Sequence, residues 1–317
     1  MSHDKIAVLL IAHGSPERAE EVPAFMHNVT GGRPIPPEVM SEVQRRYTLI
    51  GRSPLREITE KQAHALRQRI QMPVYVGMRN WFPYISEVVP RMIADGITRA
   101  VAICMAPQNS QTSVGLYRRV MFAEAADKIK IDFIESWHDH PLLIAAFAEK
   151  LAPEWRQACE RAQKKVPVIL TAHSVPQQTI DEGDPYQQQA KATGALVAAR
   201  VPDLTPELWR FAFQSQSMSG GRWIGPTVEE TILELKAAGH RHVLVQPVGF
   251  VCDHVEVLYD IDIGFRQFAR EQGMELKRTE SLNDSQQFIA ALAEIAETAM
   301  QSVKTAKPIP VASRARP

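Results

Sequence analysis

The sequence predicts an α/β protein of two similar Rossmann-like lobes, each a doubly wound parallel sheet, with a cleft between them. Three observations carry that expectation. Buried β-branched runs alternate with helix-period segments along the chain, the pattern of parallel strands covered on both faces. The pattern then restarts: VLLIAHGSP closes on Ala12, His13, Gly14, Ser15 and Pro16, VPVILTAHSVP closes on Ala172, His173, Ser174, Val175 and Pro176, and ADGITRAVAICMAP (94–107) matches AAGHRHVLVQP (237–247). Ionisable residues gather where strands end, which is where ligands bind in an open α/β sheet.

The elements follow in order. The first strand, KIAVLLIA, leaves His13 on a strand-end loop, and Ser15 can cap a helix with Pro16 at its first position. HNVTGGRPIPPEVM, rich in glycine and proline, reads as a loop that delivers Arg33 to the surface. Helical patterns cover about 38–50 and 55–70, followed by the strand PVYVG, a helix over about 83–94, the strand AVAICMAP and a helix after Ser113. After IDFIES a crossover helix runs over about 142–164, and the second half begins. FQSQSMSGGRWIGP (213–226) reads as a Ser/Gly loop carrying Trp223, then a helix; the last helix covers about 284–301. The expected organisation is a first lobe over 1–140, completed by helix 284–301, a second lobe over 141–283, and a disordered Lys/Pro/Arg tail over 302–317.

Composition narrows the class. A chain of 317 residues, 45% hydrophobic, can build a full core. Lys plus Arg and Asp plus Glu each total 36, so nothing draws nucleic acid in bulk and a small-molecule substrate is expected. Cys104, Cys159 and Cys252 are widely spaced and form no C-x-x-C pair, which fits a reducing cytoplasm. Neither a signal peptide nor a run of about 18 apolar residues is present, so neither secretion nor a transmembrane segment is expected.

The chemistry is concentrated in VLVQPVGFVCDHVEVLYDID (243–262), read as strand, tight loop and acidic helix. Helical spacing puts Glu256 and Asp260 on one face and turns His254 away. Stacked carboxylates repel, a cost that a passing cation offsets. A structural alternative stays open: Asp253 as N-cap with Glu256 as its capping-box partner, and likewise a capping box from Ser174 to Gln177 beside a merely structural His173. Against it, imidazole facing a carboxylate ladder suits proton transfer and a borderline divalent metal. If the lobes are equivalent, the strand ends carrying His13, Gln108, His173 and Glu256 converge on one cleft. No G-x-G-x-x-G, Walker loop, H-E-x-x-H or G-x-S-x-G occurs, and His13-Gly14 lacks the preceding arginine of the histidine phosphatases, Ala12 standing there instead.

LTAHSVP, GDPY (183–186), WIGP (223–226) and above all PVGFVCDHVEVLYD resemble the ferrochelatases, which insert ferrous iron into a porphyrin; the resemblance spans Ile6 to about Ala299. It implies two Rossmann-like lobes around a porphyrin cleft, with His173 and Glu256 as the catalytic pair. Metal contacts are expected at His13, His173, Glu256 and Asp260, and substrate contacts at Arg33, Arg46, Ser53, Gln108, Ser113, Tyr117 and Trp223. Ferrous iron is then a co-substrate, with no organic cofactor, and three cysteines cannot build a four-cysteine iron–sulfur cluster. A monomer is expected, with transient contacts to neighbouring haem-pathway enzymes. Departures from the family pattern are Gly264, where many members continue the acidic ladder, and Thr30, His13, Arg79 and Asn80, where Gram-positive relatives carry arginine, tyrosine, lysine and histidine.

The region RPIPPEVMSEVQRRYTLIGRSPL bears Arg33, Glu38, Glu42, Arg45 and Arg46 where protoporphyrin enzymes carry an apolar lip. Arg33, Arg46 and Ser53 are placed to meet propionates, so the resemblance favours coproporphyrin III and coprohaem as its product. The alternatives are protoporphyrin IX, a cobalt- or nickel-inserting chelatase, and a non-catalytic haem-binding or haem-delivery module. In an apolar cleft the Glu256 carboxyl is expected to titrate above its usual range, and His173 beside it to be held up by the opposite charge.

Overall fold

A computed structural model describes residues 4–216 and 221–305. β1 (Ile6–Ala12), β2 (Val74–Met78), β3 (Arg99–Cys104) and β4 (Lys130–Ile134) form a parallel sheet in the order β2-β1-β3-β4. β5 (Val168–His173), β6 (Trp209–Gln214), β7 (His242–Pro247) and β8 (Glu275–Arg278) form a second in the order β6-β5-β7-β8. The two orders are the same once β5 is set against β1. The sequence matches of the two halves are therefore matches between equivalent strands, β1 with β5 and β3 with β7, and the lobes are similar as expected.

The helices are α1 (Val22–Thr30), α2 (Pro37–Ile50), α3 (Leu55–Ile70), α4 (Ile85–Ala94), α5 (Val114–Ala125), α6 (Pro141–Ala162), α7 (Gln177–Asp181) and α8 (Tyr186–Ala199), then α9 (Val228–Ala237), α10 (Val255–Leu258), α11 (Arg266–Glu271) and α12 (Gln286–Thr305). A π-helical segment, Asp260–Phe265, lies between α10 and α11. The strands sort their residues with period two. On β1, Ala7, Leu9 and Ile11 face α4 and α5, while Val8, Leu10 and Ala12 enter a second cluster that includes Val168 and Leu170 of β5, Phe147 of α6 and Phe288 of α12. One core thus runs through both lobes. α2 differs from its neighbours: Tyr47 is its one fully buried residue, and it packs on α1, α10 and the short turn Ala19–Glu21 rather than on either sheet.

Several local expectations are corrected. No helix starts at Pro16, because the Ser15 hydroxyl bonds Tyr47 and Ser53 and so cannot serve as a cap. α1 occupies His27 to Thr30, so the loop predicted over 27–40 shrinks to 31–36, with Gly31 in the left-handed conformation that ends the helix. β6 takes residues 213 and 214 from the expected Ser/Gly loop, of which 217–220 lie outside the described residues. α12 continues through Thr305 where a disordered tail was expected from 302; residues 306–317 lie outside the described residues. Among the described residues no helix is long and apolar enough to cross a membrane, and the three cysteines are free thiols.

Candidate active site

Parallel order 2-1-3-4 leaves a crevice where connections leave the sheet in opposite directions, at the carboxyl ends of the first and third strands. In the first lobe those ends carry His13, just after β1, and the loop 105–113 after β3. In the second lobe they carry His173, the last residue of β5, and the segment 248–256 after β7.

His173 is held tightly. Its Nδ1–H donates to the Ser174 carbonyl, which turns Nε2 toward Glu256 Oε1 at 3.4 Å. The Tyr186 hydroxyl donates to the His173 carbonyl at 2.9 Å. Gly249 lets the chain after β7 lie against β5, since a Cβ there would sit 2.6 Å from Ala172 Cβ. That approach sets Phe250 edge-on to His173, with centroids 6.4 Å apart. Trp223, joined to Pro176 by a bridge, approaches the same imidazole at 6.5 Å.

Glu256 has two histidine neighbours. Its Oε2 lies 3.3 Å from His254 Nε2, so the expectation that His254 points away is overturned. His254 is the extended residue preceding α10 (φ −163°, ψ −176°), where helical spacing does not apply. The capping alternative also fails. α10 has no side-chain cap, Asp253 binds Ser281 and Asn283, and Ser174 Oγ donates to Ile224 O rather than capping α7. After Tyr259 the backbone widens: Gly264 N–H reaches back five residues to Tyr259 O at 2.9 Å. Asp260 opens that turn, bonded by the Ser215 hydroxyl and lying 3.4 Å from Arg46 Nη1.

His13 forms the opposite wall. Its Nδ1 is 3.2 Å from the Tyr117 hydroxyl, and the Asn80 amide nitrogen lies 3.1 Å from Nε2. Arg79 Nη1 donates to Asn80 Oδ1 at 2.7 Å, which fixes the amide with its N–H end toward His13.

Water reaches these groups, yet protein surrounds them, and the field inside such a concave site decides their charge. For His173 burial pulls the pKa down, but the Glu256 charge and hydrogen bond, the Ser174 carbonyl and Asp260 outweigh it and raise it to about 9. For Glu256 burial pushes upward, and His173 and His254 overcome it, leaving the carboxyl well below its usual range. The upward shift expected for Glu256 belongs instead to Asp260, which burial and the Glu256 charge raise to about 6. His13 has no carboxylate at hand; burial, opposed by Glu256 and helped by Arg79, lowers it to about 4. Gln108, after β3, donates to Val248 O, after β7, so the strand ends of the two lobes lie next to one another.

The remaining expected contacts divide. Ser113 precedes α5, whose Tyr117 reaches His13. Arg46 pairs with Glu42 at 2.9 Å and lies over the Tyr259 ring at 4.9 Å, at the cleft edge where α2 meets α10. Arg33 is exposed in the loop after α1, its Nε donating to Thr30 O. Ser53 is buried and accepts from Ser15. Gln108 is also buried, and its amide donates to Thr193 Oγ1 and Val248 O, tying the lobes together. Ser215 and Tyr259 were not among the expected site residues, and Asn80 and His254 were named without a site role, because their contacts join residues distant in sequence or depend on an extended backbone; Tyr259, beside Asp260, carried the one local signal that could have found it.

The sequence profile of the Ferrochelatase family matches residues 5–300. A ferrochelatase of Acidobacterium capsulatum is 52% identical, with 98% of this chain and 99% of that protein covered. A coproporphyrin III ferrochelatase of Bacillus subtilis is 33% identical, with 93% and 98% covered. Among solved structures, SirB from Bacillus subtilis with Fe3+ superposes with a TM-score of 0.58 at 12% identity, covering 95% of this chain and 98% of that one, a likeness of fold.

Proposed function

The chain belongs to the ferrochelatase family and inserts iron into a porphyrin, and from that premise we propose that the porphyrin is coproporphyrin III and the product coprohaem. The observation that carries the finer reading is the charged helix at the cleft edge. α2 presents Glu38, Glu42, Arg45 and Arg46 beside the segment that bears Glu256, and buries only Tyr47. Four propionates need cations and donors at the rim, and guanidinium forks bind carboxylate with two parallel bonds. The Bacillus subtilis relative named for coproporphyrin III supports the same choice.

Insertion brings in two positive charges and must remove two pyrrole protons. In the resting site His173 and Glu256 form a proton-bearing pair, and Asp260 is ionised above about pH 6. An approaching ferrous ion repels the proton on His173, which passes by way of the Asp260 carboxylate to solvent, and the freed imidazole takes the two pyrrole protons in turn, discharging the first by the same route before it takes the second. Asp260 takes protons onward or hands metal inward. On the opposite wall neutral His13, its ring fixed by Asn80 and Tyr117, ligates the iron in the product.

The test is anaerobic ferrous-iron insertion by the purified protein with coproporphyrin III and protoporphyrin IX in parallel. A kcat/KM at least about tenfold higher for coproporphyrin III is expected, since an unmet charged site penalises the substrate with fewer carboxylates. Equal or better use of protoporphyrin IX overturns the assignment.

A further inference from the structure

The segment 253–262 holds four acidic residues, and they divide into two kinds. Glu256 and Asp260 face the cleft. Asp253 and Asp262 are bound from behind by the chain that leaves β8. Arg278 Nε and Nη2 form a two-pronged contact with Asp262 at 3.0 and 2.9 Å, and Nη1 lies 3.3 Å from Asp253 Oδ1. Five residues on, Asn283 exchanges two bonds with Asp253, accepting from its N–H at 2.9 Å and donating to Oδ2 at 3.0 Å. Ser281 Oγ donates to Asp253 Oδ1 at 2.7 Å. The Arg278 side chain is 11% exposed, so these bonds are made with little competition from water.

We propose that Arg278 is a positioning residue for iron insertion: one guanidinium grips Asp253, three residues before Glu256, and Asp262, two after Asp260, and so fixes where both cleft carboxylates stand. The reading of His173 and Glu256 as the insertion centre underlies it. The geometry explains why the clasp has this form. α10 is one turn long and the π-helical segment is a poor continuation, so the short helices alone leave the Glu256 backbone weakly determined. An arginine that reaches both flanks supplies the missing constraint, and lysine, a point charge, cannot bridge two carboxylates in the same way. Residues that hold ligands from behind are worth about 10- to 100-fold in activity where they have been replaced.

The test compares Arg278→Gln, Arg278→Lys and Asp262→Asn in the full chain, with Lys277→Gln, an exposed neighbour, as control. Arg278→Gln is expected to lower kcat for iron insertion about 10- to 100-fold with the porphyrin KM within about twofold; Arg278→Lys recovers part of the loss, and Asp262→Asn falls between. A second readout needs no turnover. The His173 imidazole, followed by NMR in the absence of porphyrin, should titrate lower in Arg278→Gln than in the wild type as Glu256 withdraws, and recover in part in Arg278→Lys. Unchanged kcat and unchanged His173 titration, with only a lower melting temperature, overturn the proposal. If the wild type inserts no iron, the functional reading falls, and the NMR comparison still decides the clasp. If Arg278→Gln does not fold, Asp262→Asn gives the same two readouts and decides in the same way.

Discussion

His13 and His173 follow equivalent strands, yet one sits near a pKa of about 4 and the other near 9. The largest difference is direct contact with a carboxylate: Glu256 bonds His173, whereas His13 touches Asn80, Tyr117 and Phe25 and is lowered further by the Arg79 charge. His173→Ala should lower insertion more than tenfold, a barrier rise above about 1.4 kcal/mol, with an unchanged circular dichroism spectrum; retained turnover removes it from the centre. The pair also fixes a pH window. His173 is raised from 6.5, so its contribution is complete below about pH 6.5 and disappears as pH climbs through about 9. Glu256 is lowered from 4.5, so its contribution holds above about 4.5 and is lost as pH falls. Denaturant melts of wild type and Glu256→Gln should therefore differ most between about pH 4.5 and 6.5 and converge toward pH 9; a gap that widens with alkalinity would contradict the pairing. For His13, His13→Ala should alter the absorption spectrum of bound iron porphyrin while insertion persists at a reduced rate, and an identical spectrum sinks the ligand role.

At the scale of elements, the loop after β7 carries the closest tolerance. Gly249→Ala places a methyl 2.6 Å from Ala172 Cβ and 2.8 Å from its Cα, a backbone-borne contact that cannot swing aside. Overpacking of this kind costs about 1–3 kcal/mol, and here the shift passes straight to His173 and Phe250. Both a lower denaturation midpoint and reduced insertion are expected; a stable, fully active variant would show that the loop relaxes freely. The same segment explains what sequence patterning misses. Strands and most helices announce themselves through periods of 2 and 3.6, which is why β1, β5, β7, α2 and α3 were legible. Helical spacing misplaced His254, because an extended residue at a helix start obeys neither period. The widened turn after Tyr259 has no composition signal at all.

Over the whole molecule, the repeat was legible because equivalent strands kept similar ends, Ala-His followed by proline in each half. The nearness of His173 and Glu256 was legible for a related reason: His173 ends β5, and Glu256 lies in α10 on the segment that leaves the adjacent strand β7. Contacts between lobes were not. The Arg46–Asp260 pair and the Gln108 bridge each join residues far apart in sequence, and no local pattern encodes such meetings. Gln108 gives a direct test. Gln108→Leu leaves the buried Val248 carbonyl and Thr193 hydroxyl short of a donor or partner, at a cost of about 1–3 kcal/mol. Chemical denaturation should register that loss, and porphyrin affinity should fall with it as the lobes lose their fixed separation; unchanged affinity would mean the shared core alone sets the spacing.

The matched strand orders have one more consequence. Two copies of one architecture, set face to face, would give a flat ring two identical sides. Here the copies have diverged, so the His173 side of the cleft carries an imidazolium–carboxylate pair and the His13 side a neutral imidazole hydrogen-bonded by Asn80 and Tyr117. The site is thereby polarised across its own thickness: charge is concentrated on the His173 side, beside Glu256 and Asp260, and is absent from the imidazole facing it. A reaction run in such a gap has a handedness imposed before any substrate arrives.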